Sequence, residues 1–243
     1  MERRKLTIVI PAYNESKFIG RLLEKVLAVE LSQFDLDKEV IVIDDRSTDC
    51  TADVVRAFEN VVLHRHRRNT GKGGAVKTGV KHATGDYLII QDADLEYDPN
   101  DYVQMIRALL TEECGAVYGS RYLKYPGRGK LINLFGGKHR GQSWRAYIGG
   151  QTLSFAGVVF TGRYLTDTVT ALKLFRREVI EPLELQTNGF ELDHEISAKI
   201  LAQGCSIKEV PISYFPRSKG EGKKIGLRDW FVAIKTFYRY RNG

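Results

Sequence analysis

Two aspartates separated by one residue, Asp92 and Asp94, directly follow the apolar run 87–91 and are well suited to chemistry. A strand that leaves a buried sheet presents its last side chains to the crevice beyond its carboxyl end, where open α/β sheets bind ligands. Carboxylate oxygens at that place suit a hard divalent cation, Mg²⁺ or Mn²⁺, which could be held against a diphosphate. An acidic turn after a strand is the plain alternative, because aspartate is common in turns.

The composition is typical of one large domain, with 243 residues of which 43% are hydrophobic. Cys50, Cys114 and Cys205 are widely spaced and include no Cys-x-x-Cys pair, which argues against a disulfide framework or a zinc site. The first apolar run ends at Pro11, which is too short for a signal peptide, and the longest uncharged stretch contains polar residues and glycines. We therefore expect a cytoplasmic protein, soluble or peripheral at the cytoplasmic face of a membrane.

The formal net charge of +7 is concentrated near the C-terminus, where residues 216–243 include eight basic and two acidic residues. Aromatic and aliphatic residues recur there at helical spacing, which predicts an amphipathic helix with a basic rim over residues 228–243. Such a helix either packs its apolar stripe on the core or lies on an anionic membrane surface. No nucleic-acid partner is expected, since no helix-turn-helix, zinc finger or aromatic RNA-binding signature accompanies the charge.

Apolar runs rich in β-branched residues alternate with helical patterns over the first 120 residues, which predicts an α/β fold with a mainly parallel sheet. The predicted strands are 6–10, 39–43, 61–63, 87–91, 116–119, 172–175 and 207–214. The predicted helices are 14–32, one from residue 51, 74–83, 101–112 and 191–203. Residues 125–145 are rich in Gly, Lys and Arg, which predicts a mobile loop before a broken helix over 151–165.

Several short motifs follow the predicted strands in a fixed order. They are Pro11-Ala12-Tyr13-Asn14-Glu15, Asp44-Asp45-x-Ser47-x-Asp49-x-Thr51, Asn69-x-Gly71-Lys72-Gly73-x-Ala75, Asp92-Ala93-Asp94 and Gly119-Ser120-Arg121. Together they resemble the family 2 glycosyltransferases. Asp167 before Lys173-Leu174-Phe175-Arg176-Arg177, and Glu209-Val210-Pro211-Ile212 followed by Arg217, resemble the polyprenyl-phosphate (dolichyl-phosphate) mannose or glucose synthases of that family.

This resemblance implies a GT-A fold, a Rossmann-like mainly parallel sheet flanked by helices, in a single domain over residues 1–227 that precedes the amphipathic segment 228–243. It implies metal-dependent, inverting transfer of a sugar from a nucleoside diphosphate sugar, either a UDP- or a GDP-sugar. The residues expected to bind the nucleotide sugar are Pro11, Ala12, Tyr13, Glu15, Asp44 or Asp45, Lys72, Asp92 and Ala93. Asp92 and Asp94 are the expected metal ligands; Glu96 either completes the metal site or is a surface glutamate.

The acceptor decides whether the reaction needs a base. A polyprenyl phosphate is already ionised at neutral pH, so the enzyme would supply cations, and Arg121 and Arg217 are the candidates. A sugar hydroxyl would need a carboxylate to take its proton, and Asp193 is the first candidate ahead of Glu191 and Glu195. The plain alternative for these three acids is a solvated first turn of a helix, favoured by the helix dipole.

Some features depart from the family pattern. Arg46, Cys50 and Ala171 stand where relatives often have glycine, and no counterpart of the C-terminal transmembrane helices of the lipid-linked branch is found. The basic tail could substitute for them as a peripheral anchor, and the segment 218–224, rich in Gly and Lys, could be a loop that closes over the acceptor.

Two other functional classes compete with the transferase. A sugar-nucleotide nucleotidyltransferase would need a glycine-rich, arginine-containing loop where residues 11–15 stand. A non-catalytic sugar-nucleotide binder would not need the acidic pair and the arginines.

Overall fold

The computed structural model describes residues 3–123, 144–217 and 227–242. The strands are β1 Arg4–Ala12, β2 Leu36–Asp44, β3 Val61–Arg65, β4 Tyr87–Ile90, β5 Ala116–Ser120, β6 Lys173–Arg176 and β7 Ile207–Pro211. The helices are α1 Ile19–Ala28, α2 Thr51–Arg56, α3 Lys72–His82, α4 Tyr102–Thr111, α5 Trp144–Thr161, α6 Arg177–Ile180, α7 Leu192–Ala202 and α8 Leu227–Arg239. Short 3₁₀ turns lie at Ser32–Phe34 and Pro99–Asp101.

The seven described strands form one sheet in the order β3-β2-β1-β4-β6-β5-β7. Their neighbours run parallel except at β6, which is antiparallel to both β4 and β5. The carboxyl ends of β1, β2, β4 and β5 therefore lie at one edge of the sheet, together with the amino end of β6. Lys173, the first residue of β6, is paired there with Ile90 and Tyr118. The predicted mainly parallel sheet flanked by helices is confirmed.

Helices cover both faces of the sheet, so the central strands are buried on both sides. In β1, Ile8 belongs to one core cluster and Val9 to the other, as the alternation of side chains along a strand requires. Helices α1 and α4 pack on the face of Ile8, and α3 and α7 pack on the face of Val9. Burial on both faces explains why these strands are nearly continuous apolar runs.

Helix α1 is shorter at both ends than the predicted helix 14–32. Asn14 has a left-handed backbone with φ of +56°, and residues 14–16 donate to side chains of the loop after β2 instead of entering the helix. At the other end, Val29 is extended, and the Lys38 ammonium binds the carbonyls of Val26, Leu27 and Val29. Both ends are thus set by residues distant in sequence, which periodicity along one segment does not reveal.

Helix α5 corrects the prediction of a broken helix over 151–165. It is continuous from Trp144 to Thr161, and it ends at Gly162, whose φ is +68°. Its polar residues do not break it because Thr152 and Thr161 donate their hydroxyls to Gly149 O and Gly157 O within the helix. The predicted mobile loop 125–145 and the predicted closing segment 218–224 lie largely or wholly outside the described residues.

Helix α8 packs against α5 and α7 along one face. Ala233, Phe237 and Tyr240 are buried there, and the Phe237 ring lies 5.0 Å from that of His194. The opposite face leaves Phe231 65% and Tyr238 55% exposed. The segment thus packs an apolar stripe on the rest of the molecule, as the first interpretation expected, and leaves two aromatic side chains mostly exposed on its other face. In the described part of the chain, no helix combines the length and apolar character needed to cross a bilayer.

Candidate active site

The segment after β4 places its acidic residues at the shared edge of the sheet. Gln91 extends the pairing with β1 through its backbone and accepts a hydrogen bond from the Tyr102 hydroxyl at 2.8 Å. Ala93 is buried, and Leu95 adopts a φ of +60°, which turns the chain back toward the site. The Glu96 amide then donates to Asp94 at 3.1 Å. The positions of the two aspartates are therefore fixed by the backbone.

A chain of alternating charges links Asp92 to α7 and β6. The Lys72 ammonium lies 2.8 Å from Asp92 Oδ1 and 3.6 Å from Asp193 Oδ2. Asp193 Oδ1 in turn lies 2.6 Å from the Lys173 ammonium. Burial alone would raise the pKa of Asp193, but Lys173 and Lys72 outweigh it, so this pKa lies below its ordinary value. The predicted Lys72 thus contacts Asp92 directly, and the predicted Asp193 is linked to Asp92 through Lys72.

Arg217 neutralises the other half of the acidic cluster. Its guanidinium lies 2.8 Å from Asp94, 3.2 Å from Glu96 and 3.3 Å from Glu15. Tyr214 donates its hydroxyl to the second oxygen of Glu96 at 2.6 Å. Arg217 and Asp94 are 123 positions apart in the sequence, and only the tertiary structure brings them into contact.

The acidic cluster suits a divalent cation. Burial, reinforced by the charges of Asp92 and Glu96, raises the pKa of Asp94 to about 7, and a bound cation would favour its ionised form. Among residues 3–123, 144–217 and 227–242, no group of three or more His, Cys, Asp or Glu side chains is arranged as a complete metal cage. Mg²⁺ is commonly held by one or two carboxylates together with substrate phosphates, so the oxygen donors present fit such an ion.

Arg121 lies at the end of β5 and is held by Asp167. Its Nε and Nη2 donate to the two carboxylate oxygens at 2.7 and 2.8 Å, and the guanidinium stacks 5.1 Å from the Tyr214 ring. Glu209 fixes the segment that carries Asp167 by accepting from the amides of Thr166 and Asp167. The planar, paired arginine is oriented before any ligand arrives.

Asp45 organises the loop that carries Lys72. Its carboxylate accepts from the amides of Thr70 and Gly71 at 2.8 and 2.7 Å and contacts His66 Nδ1 at 2.7 Å. Asp44 is fully buried and lies 2.8 Å from Arg65 Nε. Asp45, unlike Asp44, lines a cavity of about 700 Å³ at this edge of the sheet, so it is the better placed of the two to reach a nucleotide.

Two cavities of about 700 Å³ and about 230 Å³ meet at this edge of the sheet. The larger cavity is lined by most of the predicted nucleotide-sugar residues: Pro11, Ala12, Tyr13, Glu15, Asp45, Lys72, Asp92 and Ala93. The smaller cavity is lined by the predicted acceptor-side residues Arg121, Arg217, Asp193 and Glu191, and also by Glu96, which was expected at the metal site. The residues lining both are Lys72, Asp92, Asp94, Phe190 and Arg217. A group transferred from one cavity to the other would pass the aspartate pair.

Comparison with known proteins assigns the chain to a family. The model for glycosyl transferase family 2 matches residues 7–183, which is most of the chain. The chain belongs to glycosyl transferase family 2. It is therefore a glycosyltransferase, and the resemblance drawn from the motifs is confirmed.

Curated relatives of this glycosyltransferase carry names from the lipid-phosphate branch. A dolichol-phosphate mannosyltransferase of Pyrococcus furiosus is 29% identical over 97% of this chain, which spans 63% of that relative's length. A UDP-N-acetylglucosamine–dolichyl-phosphate N-acetylglucosaminyltransferase of Methanococcus voltae is 27% identical, with 98% of this chain and 96% of that protein covered.

Solved structures agree on the fold of this family 2 enzyme. Glucosyl-3-phosphoglycerate synthase of Mycobacterium tuberculosis, in complex with UDP, superposes with a TM-score of 0.70 at 19% identity, over 98% of this chain and 80% of that one. The same synthase with Mn²⁺, UDP and glucosyl-3-phosphoglycerate gives a TM-score of 0.68. The fold is therefore GT-A, as the resemblance implied.

Lys173 and Tyr214 have roles in the site that the sequence motifs do not reveal, and the motifs do not reveal the Arg121 partner of Asp167 either. Lys173 had a visible signal, since it is a charged residue inside the apolar run of β6. Glu195, by contrast, is turned away from the cavities: it accepts from Gln186 and Thr187 and is fully buried. The acids of α7 are therefore not a solvated first turn.

Proposed function

We propose that this protein is a metal-dependent, inverting glycosyltransferase that moves a sugar from a UDP- or GDP-sugar to a polyprenyl phosphate. The observation that carries the choice of acceptor is Asp193, the first candidate for a general base. It is held between Lys173 and Lys72, so its carboxylate is already engaged by two cations. An acceptor that arrives ionised needs no such base. The names of the two archaeal relatives support the same acceptor class.

The donor occupies the larger cavity in this proposal. Tyr13, 47% exposed, offers a ring face to the base, and Asp45 lies at the same wall. Lys72 would neutralise the diphosphate from the loop that Asp45 orders. Asp92 and Asp94, together with the donor phosphates, would hold Mg²⁺ or Mn²⁺, which when bound would stabilise negative charge on the departing diphosphate.

The acceptor phosphate occupies the smaller cavity. Arg121 is oriented there by Asp167, and Arg217 sits between the two cavities. Arginine binds phosphate through two parallel N–H bonds, which would orient one phosphate oxygen toward the sugar. That oxygen attacks the anomeric carbon from the face opposite the diphosphate, so the configuration inverts.

A free apolar surface adjoins the smaller cavity. We name it the apolar ridge: Ile148, Phe155 and Val159 of α5 with Phe231 and Tyr238 of α8, all at least half exposed. The same two helices contribute Leu153 and Val232 to the lining of the smaller cavity. An isoprenoid chain leaving the cavity would thus meet apolar side chains, and the basic residues of α8 suit anionic headgroups. We propose that residues 228–243, with α5, hold the enzyme at the cytoplasmic face of a membrane.

The test is transfer with the purified protein. UDP- and GDP-sugars are offered with Mn²⁺ or Mg²⁺ and a short-chain polyprenyl phosphate, and both nucleoside diphosphate and glycolipid are measured. The matched control acceptor is the corresponding polyprenol, which lacks the phosphate. Glycolipid formed from the polyprenyl phosphate but not from the polyprenol supports the proposal. Transfer to a hydroxyl acceptor alone, or release of pyrophosphate, would contradict it.

A further inference from the structure

Lys173 is a charged residue placed where a buried strand would ordinarily carry an apolar one. Because β6 runs antiparallel to its neighbours, its first residue lies at the edge where the parallel strands end. The side chain is fully buried, with the ammonium 5.1 Å from the centre of the Tyr118 ring. Removing an ammonium from water is costly unless polar or charged groups around it offset the lost hydration.

Its polar partners are the Thr170 carbonyl and Asp193. The bond to Asp193 Oδ1 is 2.6 Å long, while the other oxygen of that carboxylate faces Lys72 at 3.6 Å. Asp193 lines the smaller cavity, and its side chain is 11% exposed. The buried Lys173 ammonium thus engages one oxygen of the Asp193 carboxylate, which lines the cavity proposed for the acceptor.

We propose that Lys173 is a specificity-determining positioning residue: by keeping Asp193 ion-paired, it prevents general-base activation of water and restricts transfer to an acceptor that is already ionised. This inference rests on the proposed polyprenyl-phosphate acceptor. Lys173 is absent from the lining of both cavities, so it acts through Asp193.

The suppressed reaction is hydrolysis of the donor. In it, a water oxygen bonds to the anomeric carbon, and the bond from that carbon to the diphosphate oxygen breaks. The water proton passes to the Asp193 carboxylate, and the nucleoside diphosphate leaves as an anion. Without Lys173, burial would raise the pKa of Asp193, which makes it a stronger base at neutral pH.

The experiment compares hydrolysis with transfer in Lys173→Met, which keeps a side chain of similar length without the charge. Free sugar and glycolipid are quantified in the same reaction with donor, Mn²⁺ and polyprenyl phosphate. The hydrolysis-to-transfer ratio should rise about tenfold or more, since general-base catalysis typically supplies roughly 10²- to 10⁴-fold and a part of that would be restored. The double variant Lys173→Met with Asp193→Asn should return the ratio to the wild-type level, because no base is left. A purely structural role would not make the ratio depend on Asp193.

Two further variants keep the inference testable if Lys173→Met fails to fold. Lys173→Gln retains a donor for Asp193 but not the charge, so its ratio should rise as well. Lys173→Arg retains the charge, and its ratio should stay low. A folded Lys173→Met or Lys173→Gln enzyme with the wild-type ratio would overturn this inference and leave the proposed function standing. Wild-type protein that ignores polyprenyl phosphate and glycosylates a hydroxyl through Asp193 would overturn the proposed function as well.

Discussion

At the scale of single residues, the site is arranged so that its cations are paired with carboxylates before substrates bind. Four such pairs have N–O distances of 2.6 to 2.8 Å: Lys72–Asp92, Arg121–Asp167, Lys173–Asp193 and Arg217–Asp94. Pre-organised charges of this kind need little rearrangement as the reaction proceeds. Two of these pairs, Lys72–Asp92 and Arg217–Asp94, border both cavities. In the proposed reaction, an incoming metal would bind the two aspartates, and incoming phosphates would bind Lys72 and Arg217.

Replacing one member of the aspartate pair should abolish transfer without unfolding the protein. Asp94→Asn removes a charged oxygen ligand, and we expect the transfer rate to fall about 100-fold or more, since even residues that only support metal ligands are worth 10- to 100-fold. Initial rates and thermal unfolding are measured together. Asp53→Asn, at an exposed acid of α2, is the matched control and should leave the rate unchanged. An active Asp94→Asn enzyme would remove Asp94 from the proposed metal site.

His194 should make the protein sensitive to acid. Burial lowers its pKa to about 4, against the ordinary value of 6.5, so the unfolded state binds the proton first as pH falls. Above pH 6.5 protonation of His194 has no effect on the free energy of unfolding. As pH falls from 6.5 toward 4, that free energy decreases progressively, by about 2 kcal/mol at pH 5. Urea unfolding at pH 7 and pH 5 measures it. His194→Phe should lose less stability between these two pH values; an equal loss in both proteins would refute this role.

At the scale of elements, the amino end of α3 is shaped by close contact with the segment before α7. A Cβ at Gly71 would lie 2.5 Å from the Asn188 carbonyl oxygen, and Gly71 has a φ of +86°. Side chains are disfavoured at such a φ, and here no space is available either. The elements that carry Lys72 and Asp193 are thereby held close together.

Gly71→Ala should therefore weaken nucleotide binding and lower stability. The substitution adds backbone strain of about 1 kcal/mol or more and displaces the loop that presents Lys72. Thermal unfolding with and without UDP or GDP reports both effects. Gly149→Ala in α5 is the matched control, because its Cβ would meet nothing within 4 Å and alanine favours the helix. If Gly71→Ala binds nucleotide as the wild type does, the packing argument is wrong.

At the scale of the whole molecule, the two helices that carry the apolar ridge also line the smaller cavity. Helices α5 and α8 line the smaller cavity with Leu153 and Val232 and also carry the exposed aromatic side chains. The basic excess of the chain lies in the C-terminal segment, close to that ridge in sequence. An exposed apolar surface with a basic rim is suited to an anionic membrane.

Removing the exposed aromatics should release the protein from membranes. Phe231→Ser with Tyr238→Ser should weaken binding to anionic liposomes by about tenfold or more, because two large apolar side chains no longer enter the interface. Cosedimentation with anionic and neutral vesicles measures the loss. Phe237→Ala is the contrasting variant: it truncates a buried ring and should cost about 3 to 5 kcal/mol of stability. Unchanged liposome binding by the folded double variant would count against the membrane proposal.

The sequence itself determined the architecture and the place of the aspartate pair within it. The alternation of apolar strands and helices predicted the layered sheet, because burial on both faces leaves a local pattern in the sequence. The end of β4 predicted where Asp92 and Asp94 lie, since parallel strands deliver their last residues to one edge, whereas Lys72 was expected from the motif resemblance. These features depend on neighbouring residues and on a general rule of sheet geometry.

The tertiary structure alone decided how the charges are paired. Arg217 meets Asp94, Arg121 meets Asp167, and Lys173 meets Asp193 across long separations along the chain. No local pattern specifies such partners, because ion pairing depends on which segments the fold brings within a few ångströms. The antiparallel direction of β6 is the clearest case: it places Lys173 beside Asp193 at the edge where the smaller cavity lies, whereas a parallel strand would have placed it at the opposite edge.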